Sequence, residues 1–173
     1  MRIGIDIDDT ITTNFTQALL DLYNKKYNDN LSLSDITNYD LQSFLKPECE
    51  NVFDEFIDEQ FIMSLNVPSS TIDALTKMNA EHEIYFITAA FPNSIEWRHK
   101  LLQTYLPWYN VNQLVMCRTK YLLDIDFLVD DNPNNFANAK YQGIIIDRPW
   151  NQQAESSYRI GEMFDMIELL KKI

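Results

Sequence analysis

Residues 1–10 read MRIGIDIDDT, and this stretch decides the fold class. A mostly apolar run leads directly into three aspartates and a threonine. Continuous apolar runs are typical of strands that are buried on both faces of a parallel sheet. Because side chains alternate along a strand, Asp6 and Asp8 point to the same side. The stretch therefore predicts a buried strand over Arg2–Asp6 with two neighbouring carboxylates at its end.

Four further apolar runs predict strands of the same kind, and helical patterns separate them. The runs lie at Glu83–Thr88, Gln113–Cys117, Asp126–Val129 and Gly143–Asp147. Strands that alternate with helices favour a parallel sheet with helices packed on its faces. We therefore predict an α/β protein whose central layer is a parallel sheet flanked by helices.

Three sequence patterns predict helices between and after these strands. Asn93 and Glu96 resemble a capping box ahead of apolar residues that recur at a spacing of four. Asn132-Pro133 offers an N-cap residue followed by proline at the first helical position. A C-terminal helix is predicted from the apolar stripe formed by Ile160, Met163, Phe164, Ile167 and Leu170.

Residues 14–68 contain no convincing strand, although apolar residues at helical spacing occur twice within them. A βα crossover needs only about 10–12 residues, so this segment is an insertion. We predict a core formed by residues 1–13 and 69–173 and an inserted helical cap at 14–68. Phe15 follows the aspartates closely and is the best cap candidate for contact with a substrate. Phe53 and Phe56 are assigned to packing because they lie at helical spacing.

The charge balance argues against two classes of partner. Asp and Glu number 26 against 14 Lys and Arg, which gives a net charge of −12 and a pI near 4.4. A surface of this sign repels nucleic acids and anionic membranes. No apolar run is long enough to cross a bilayer, and the first residues lack the apolar region of a secretion signal. We therefore expect a soluble, cytoplasmic protein with no nucleic-acid or membrane partner.

Scarce residue types exclude several kinds of site. The only glycines are Gly4, Gly143 and Gly161, so neither a P-loop nor a glycine-rich dinucleotide loop can form. Two cysteines and two histidines cannot build a cysteine-rich zinc site or a disulfide framework.

Polar residues at the ends of the predicted strands define a candidate site, because open α/β sheets bind ligands at the carboxyl ends of their strands. Asp6, Asp8, Thr88 and Asp130 lie at such ends, and Lys120 follows the third strand. Two carboxylates held ~4 Å apart repel by about 4 kcal/mol at an effective dielectric of ~20. Three carboxylates in one pocket therefore need protons or a cation, and oxygen ligands without His or Cys favour Mg²⁺.

The same groups suit a phosphate ester as the substrate. Lys120 and a metal ion supply positive charge, and the Thr88 hydroxyl can donate a hydrogen bond to a phosphate oxygen. One carboxylate can attack phosphorus to form an aspartyl phosphate, while a second moves the proton of the leaving group.

Four motifs, in this order along the chain, resemble those of the haloacid dehalogenase superfamily of phosphotransferases. They are Asp6-Ile7-Asp8-Asp9-Thr10, Thr88, Lys120 and Asp130-Asp131. An insertion after the first strand resembles the cap of that superfamily. The more specific likeness is to the 5′(3′)-deoxyribonucleotidases, and it rests on Arg118-Thr119-Lys120 ahead of Asp130-Asp131, on Asn132-Pro133 and on Pro149-Trp150-Asn151.

The resemblance implies a role for each matching residue. Asp6 would be the nucleophile and Asp8 the general acid and base. Mg²⁺ would be bound by Asp6, the backbone carbonyl of Asp8 and Asp130, while Asp131 would orient the site. Thr88 and Lys120 would hold the phosphate. The implied set of substrate-binding residues is completed by Asp9, Thr10, Phe15, Ala89 and Arg118.

Two departures from the nucleotidase pattern concern the substrate. Asp9 stands where the animal enzymes carry glycine, and the predicted cap contains no tryptophan, which those enzymes use to hold the base. The implied substrate is a small phosphomonoester, most specifically a nucleoside monophosphate. A phosphatase for another small phosphomonoester and a catalytically silent binding protein remain the alternatives. A receiver-type signalling domain is disfavoured, because Cys117 stands where its phosphoacceptor would follow the third strand.

Overall fold

A six-stranded parallel sheet forms the centre of the protein, and the computed structural model describes all residues 1–173. Its strands are β1 (Arg2–Asp6), β2 (Glu83–Thr88), β3 (Leu114–Met116), β4 (Phe127–Asp130), β5 (Gln142–Ile146) and β6 (Tyr158–Ile160). Their spatial order is β3-β2-β1-β4-β5-β6. The predicted parallel α/β fold is confirmed.

The first strand occupies a central position in this sheet. Ile5 of β1 is opposite Phe86 of β2 on one side and Val129 of β4 on the other. The chain order reverses between β1 and β4, and a reversal of this kind opens a crevice at the carboxyl ends of the strands. Asp6 and Asp130 end these two neighbouring strands, so the register places their carboxylates side by side.

Six α-helices accompany the sheet. They are α1 (Phe15–Tyr27), α2 (Val52–Phe56), α3 (Glu59–Met63), α4 (Ser69–Glu81), α5 (Ile95–Tyr105) and α6 (Met166–Leu170). The first three lie in the segment between β1 and α4, and short 3-10 turns connect them. None of the helices is long and apolar enough to span a lipid bilayer.

The inserted segment packs on the same hydrophobic core as the sheet. One cluster of 32 buried apolar residues includes Ile5 of β1, Leu19 and Tyr23 of α1, and Ile62 of α3. Because the cluster is continuous, the segment has no core of its own to fold around. Its position over the end of the sheet is therefore set by the same packing that stabilises the strands.

Three local predictions were wrong, each for a physical reason. Ile160 lies in β6, a three-residue strand at the sheet edge that is too short to show a periodic pattern. Asn93 does not cap α5, because Pro92 starts a 3-10 turn that ends at Ser94 immediately before the helix. Asn132 does act as an N-cap, but the element it starts is a single 3-10 turn that ends at Phe136.

Candidate active site

A cluster of buried carboxylates lies at the carboxyl ends of the two central strands. Asp6 ends β1, Asp130 ends β4, and Asp131 follows directly. One oxygen from each of the three can be chosen so that all lie within 4.8 Å of one another. The sequence placed Asp6 and Asp130 together, and the structure adds the side chain of Asp131 to the pair.

Lys120 provides the positive charge inside this cluster. Its side chain is buried, and its Nζ donates to Oδ1 of Asp6 and, at 2.7 Å, to Oδ2 of Asp130. Burial alone disfavours the ammonium, but the charges of Asp130 and Asp6 outweigh that penalty and raise the pKa of Lys120. Lys120 therefore stays protonated in the site.

The carboxyl groups that share this pocket resist ionisation. Burial, together with the charges of Asp130 and Asp8, raises the pKa of Asp6 to about 8 even though Lys120 acts in the opposite direction. Burial and the charge of Asp130 also raise the pKa of Asp131 well above its ordinary value. Both effects show that one ammonium does not balance three carboxylates in this pocket.

Several neighbours hold Asp130 and Asp131 in place. Asp130 accepts a hydrogen bond from the side-chain amide of Asn135 at 2.8 Å and one from the backbone N–H of Asn132 at 2.9 Å. Asp131 accepts one from the indole N–H of Trp150 at 2.9 Å. Trp150 lies in a motif on which the resemblance rests, whereas no sequence pattern pointed to Asn135, which follows the helix start predicted at Asn132-Pro133.

Asp8 is held separately by a residue that the sequence did not reveal. Nε and Nη2 of Arg98 both donate to Oδ2 of Asp8, at 3.1 and 2.6 Å. The other oxygen of Asp8, Oδ1, is buried and has no hydrogen-bond partner. Arg98 is only 2% exposed and lies on α5, where sequence patterns pointed to the neighbouring Trp97 as the inward-facing residue.

Asp9 caps the first helix of the inserted segment. Its carboxylate accepts hydrogen bonds from the backbone N–H groups of Phe15 and Thr16, both at 2.9 Å, and from the Thr16 hydroxyl. Its backbone has a φ of 55°, a left-handed conformation that glycine adopts most easily. An aspartate at this position accepts the left-handed conformation and caps the helix in return. Burial raises the pKa of Asp9 to about 6.

The other predicted substrate-binding residues are divided between two cavities. The main cavity, of about 400 Å³, is lined by Asp6, Asp8, Asp9, Phe15, Ala89, Arg118, Lys120 and Asp131, among others. The Thr10 side chain instead borders a separate cavity of about 90 Å³. Thr88 is buried at the end of β2, where its hydroxyl accepts a hydrogen bond from the backbone N–H of Ala90 at 3.1 Å.

An apolar surface supplied by the inserted segment faces the carboxylates across the main cavity. We call this surface the cap wall, and it consists of Phe15, Ile36, Tyr39, Leu41, Phe53 and Ile57. Asp6, Asp8, Lys120 and Asp131 line the same cavity and carry charges, and we call this surface the catalytic floor after the role that we propose for it. The cavity therefore joins a charged surface to an apolar one, as a ligand with a phosphate and a flat organic group requires.

The aromatic residues of the cap wall differ in how they meet the cavity. Phe15 is 6% exposed and packs edge-to-face on Phe61 at 5.5 Å, so much of its surface belongs to the core. Phe53 is half-buried and lines the cavity, in addition to the packing role predicted for it. Tyr39 is 48% exposed, and burial of its hydroxyl together with the charges of Asp131 and Asp6 raises the pKa of the phenol.

The catalytic floor, together with the buried carboxylate of Asp130 beside it, fits a divalent cation. Asp6, Asp130 and Asp131 bring three carboxylates against the single charge of Lys120, while Asp8 is paired with Arg98. If all three ionise, two negative charges remain uncompensated, which is the charge that one Mg²⁺ would balance. The ligands are oxygens only, as a hard cation prefers. The backbone carbonyl of Asp8 remains a predicted ligand.

Solved structures of haloacid dehalogenase-like hydrolases have the same fold. A hydrolase from Pseudomonas syringae superimposes with a TM-score of 0.67 at 14% identity, over 100% of this chain and 98% of that one. The HAD-hydrolase YfnB from Bacillus subtilis, solved with magnesium bound, gives a TM-score of 0.61 at 11% identity over 98% of each chain. The chain thus has the fold of the haloacid dehalogenase-like hydrolases.

Comparisons with sequence relatives define the family more narrowly than the fold does. The chain is 27% identical over 172 residues to the 5′(3′)-deoxyribonucleotidase of Clostridium acetobutylicum, across 99% of this chain and 95% of that protein. It is 23% identical over 162 residues to the 5′(3′)-deoxyribonucleotidase of Bacillus subtilis, across 91% of each. Residues 1–173 match the family described as 5′ nucleotidase, deoxy (Pyrimidine), cytosolic type C protein, and the chain belongs to that family. The predicted phosphatase family is thereby confirmed.

Proposed function

We propose that this protein hydrolyses nucleoside monophosphates, deoxynucleotides included, to the nucleoside and inorganic phosphate. The observation that carries the proposal is a single cavity in which buried carboxylates and Lys120 face the aromatic cap wall. The charged surface suits a phosphate, and the apolar surface suits a base. The family to which the chain belongs, and the names of its relatives, support the same substrate class.

The proposed reaction has two chemical steps. An oxygen of Asp6 attacks phosphorus, the bond between phosphorus and the ester oxygen breaks, and Asp8 gives its proton to the departing oxygen. A water molecule then attacks the aspartyl phosphate and gives a proton to Asp8, which releases inorganic phosphate and regenerates Asp6. Lys120 lies beside Asp6 and is placed to bind an oxygen of the phosphoryl group during both steps.

Asp6, Asp130 and Asp131 are the residues that would hold Mg²⁺ in this proposal. When bound, the ion would supply positive charge that keeps Asp6 ionised and neutralises the phosphate. The surroundings of Asp6 support this role of the ion, because burial raises the pKa of Asp6 and a protonated carboxyl is a poor nucleophile.

We further propose that residues 14–68 act as a cap that selects the substrate. The catalytic floor meets only the phosphate and the ester oxygen, which every phosphomonoester contains. The cap wall comes from this segment and supplies the apolar surface that can distinguish a nucleotide from a sugar phosphate. Thr88, Ala89 and Arg118 remain candidates for phosphate contact, and Arg118 stacks over Phe91 at 4.9 Å beside the cavity.

A substrate screen tests the proposal directly. Purified protein is assayed for phosphate release from nucleoside monophosphates, sugar phosphates and p-nitrophenyl phosphate, with and without Mg²⁺. The Asp6→Asn variant, purified identically, controls for contaminating phosphatases. We expect Mg²⁺-dependent release that is fastest with nucleotides. Equal rates on nucleotides and sugar phosphates would leave a phosphatase but remove the nucleotidase, whereas no release from any ester would remove both.

A further inference from the structure

Arg98 forms a two-point contact with one oxygen of Asp8, and this contact is the subject of the inference. Nε and Nη2 both donate to Oδ2, while Nη1 donates to the carbonyl and the hydroxyl of Ser94 at 3.3 and 3.0 Å. The guanidinium lies 6.0 Å from the ring of Phe15 and is almost completely buried. It is therefore fixed from three sides and cannot move away from Asp8 without breaking several contacts.

With this contact, the two carboxylate oxygens of Asp8 differ in their hydrogen-bond partners. A carboxylate oxygen has two lone pairs, and both lone pairs of Oδ2 receive an N–H from Arg98. Oδ1 is buried without any partner on a side chain that lines the main cavity. Arg98 therefore holds the carboxylate through Oδ2 alone and fixes the rotation of the Asp8 side chain.

We propose that Arg98 is a positioning residue that fixes the Asp8 carboxylate, through Oδ2, in the orientation from which Asp8 exchanges a proton with the ester oxygen. This inference rests on the proposed function, in which Asp8 is the general acid and base. Four hydrogen bonds tie the Arg98 guanidinium to Asp8 and Ser94, so in this proposal Arg98 acts through Asp8. A lysine would not replace it fully, because an ammonium cannot present two parallel donors to a single oxygen.

The inference predicts an effect that depends on the leaving group. A nucleoside leaves as an alkoxide and needs a proton from Asp8, whereas p-nitrophenolate leaves readily as an anion. General acid catalysis contributes about 10²–10⁴-fold to such a step. Misplacing the acid should thus slow hydrolysis of the nucleotide and leave p-nitrophenyl phosphate largely unaffected.

The test measures kcat/KM for a nucleoside monophosphate and for p-nitrophenyl phosphate. The value of kcat/KM for each ester reports the steps up to release of its alcohol, which include the proton transfer from Asp8. With Arg98→Met we expect about a 100-fold loss on the nucleotide and less than about a fivefold loss on p-nitrophenyl phosphate. Arg98→Lys should recover about tenfold of the nucleotide loss. The matched control is Lys100→Met on the same helix, whose ammonium pairs on the surface with Glu59 and Glu96, and it should change neither value.

Two further measurements separate positioning from support of the fold. Asp8→Asn should show the same leaving-group dependence, and adding Arg98→Met to it should cause no further loss on the nucleotide. Equal losses on both esters in Arg98→Met and in Arg98→Lys would overturn the inference and assign Arg98 to the fold alone. Unchanged activity on both esters would overturn it as well. If wild-type protein prefers a sugar phosphate, the proposed substrate fails, but that alkyl ester replaces the nucleotide in the same comparison.

Discussion

The catalytic floor and the cap wall meet in one cavity but are built on different principles. The carboxylates of Asp6 in the floor and of Asp130 beside it come from the ends of buried strands, and hydrogen bonds hold them at fixed distances, as with Asp130 and its donors Lys120 and Asn135. The wall comes from short helices and turns, and its members range from nearly buried Phe15 to half-exposed Tyr39. A reaction needs atoms in fixed places, whereas selection of a flat ring needs mainly apolar area.

The largest expected effect falls on the floor. Asp6→Asn keeps the size of the side chain but removes the charge that attacks phosphorus, so turnover should fall by at least about 10³-fold while the fold persists. Steady-state rates and a melting curve check this. Asp124→Asn is the matched control, because the Asp124 carboxylate is 92% exposed and lies away from the cavity. Activity within tenfold of wild type would remove Asp6 from its proposed role.

The second prediction concerns the cation that the floor needs. Mg²⁺ at 100 times its Kd should stabilise the wild-type protein by about 2.7 kcal/mol, because it binds only the folded state. Asp130→Ala should abolish most of this stabilisation, and Asp124→Ala should retain it. Urea unfolding with and without Mg²⁺ measures both. A wild-type stability that does not respond to Mg²⁺ would contradict the site.

A pH series of the metal-free protein sharpens this result. The folded-state pKa of Asp6 is about 8, above its ordinary value near 4, so the folded protein keeps a proton that the unfolded chain loses. Stability without Mg²⁺ should therefore fall as the pH rises from about 4 to 8. Saturating Mg²⁺ should flatten that fall, and a metal-free stability that rises across this range would show the opposite sign.

The third prediction concerns the selection of the substrate by the cap wall. Stacking on a base is worth about 1–3 kcal/mol, so nucleotides should be hydrolysed roughly 10- to 100-fold more efficiently than sugar phosphates. Phe53→Ala and Tyr39→Ala should each reduce that preference while leaving p-nitrophenyl phosphate nearly unaffected. Phe164→Ala is the control, since Phe164 is exposed and does not line the cavity. Phe15→Ala is less informative because it also removes core packing against Phe61.

The smallest expected effect lies at Asp9, where floor and wall join. Asp9→Ala removes the cap of α1 and places alanine at positive φ, which should cost about 2 kcal/mol of unfolding free energy. Asp9→Gly removes the cap but suits the backbone, so it should cost about 1 kcal/mol. Asn28→Gly is the control, because Asn28 follows α1 with a positive φ of 49°, and this change should not destabilise the protein. Indistinguishable alanine and glycine variants would show that backbone conformation does not matter at Asp9.

The catalytic floor and the cap wall also differ in how many of their residues can be predicted from the sequence. Asp6 and Asp130 could be placed because buried parallel strands have a recognisable pattern and their ends converge. Arg98 could not be placed, since its contact with Asp8 joins residues 90 apart and depends on how α5 packs. That Tyr39 lines the cavity could not be predicted for a related reason. It lies in an irregular stretch before a 3-10 turn, where no periodicity fixes the direction of a side chain. Patterns predict regular elements, whereas tertiary packing decides the contacts between them.

The central position of β1 has a consequence for the order in which the chain can assemble. This strand precedes its partners in the chain and is synthesised before them, since β2 and β4 begin only at Glu83 and Phe127. Contacts so distant in sequence form late and slow the folding of a domain. The nascent strand must therefore wait for most of the chain before it is paired, and a fragment that ends before Phe127 should neither close the sheet nor hydrolyse any ester.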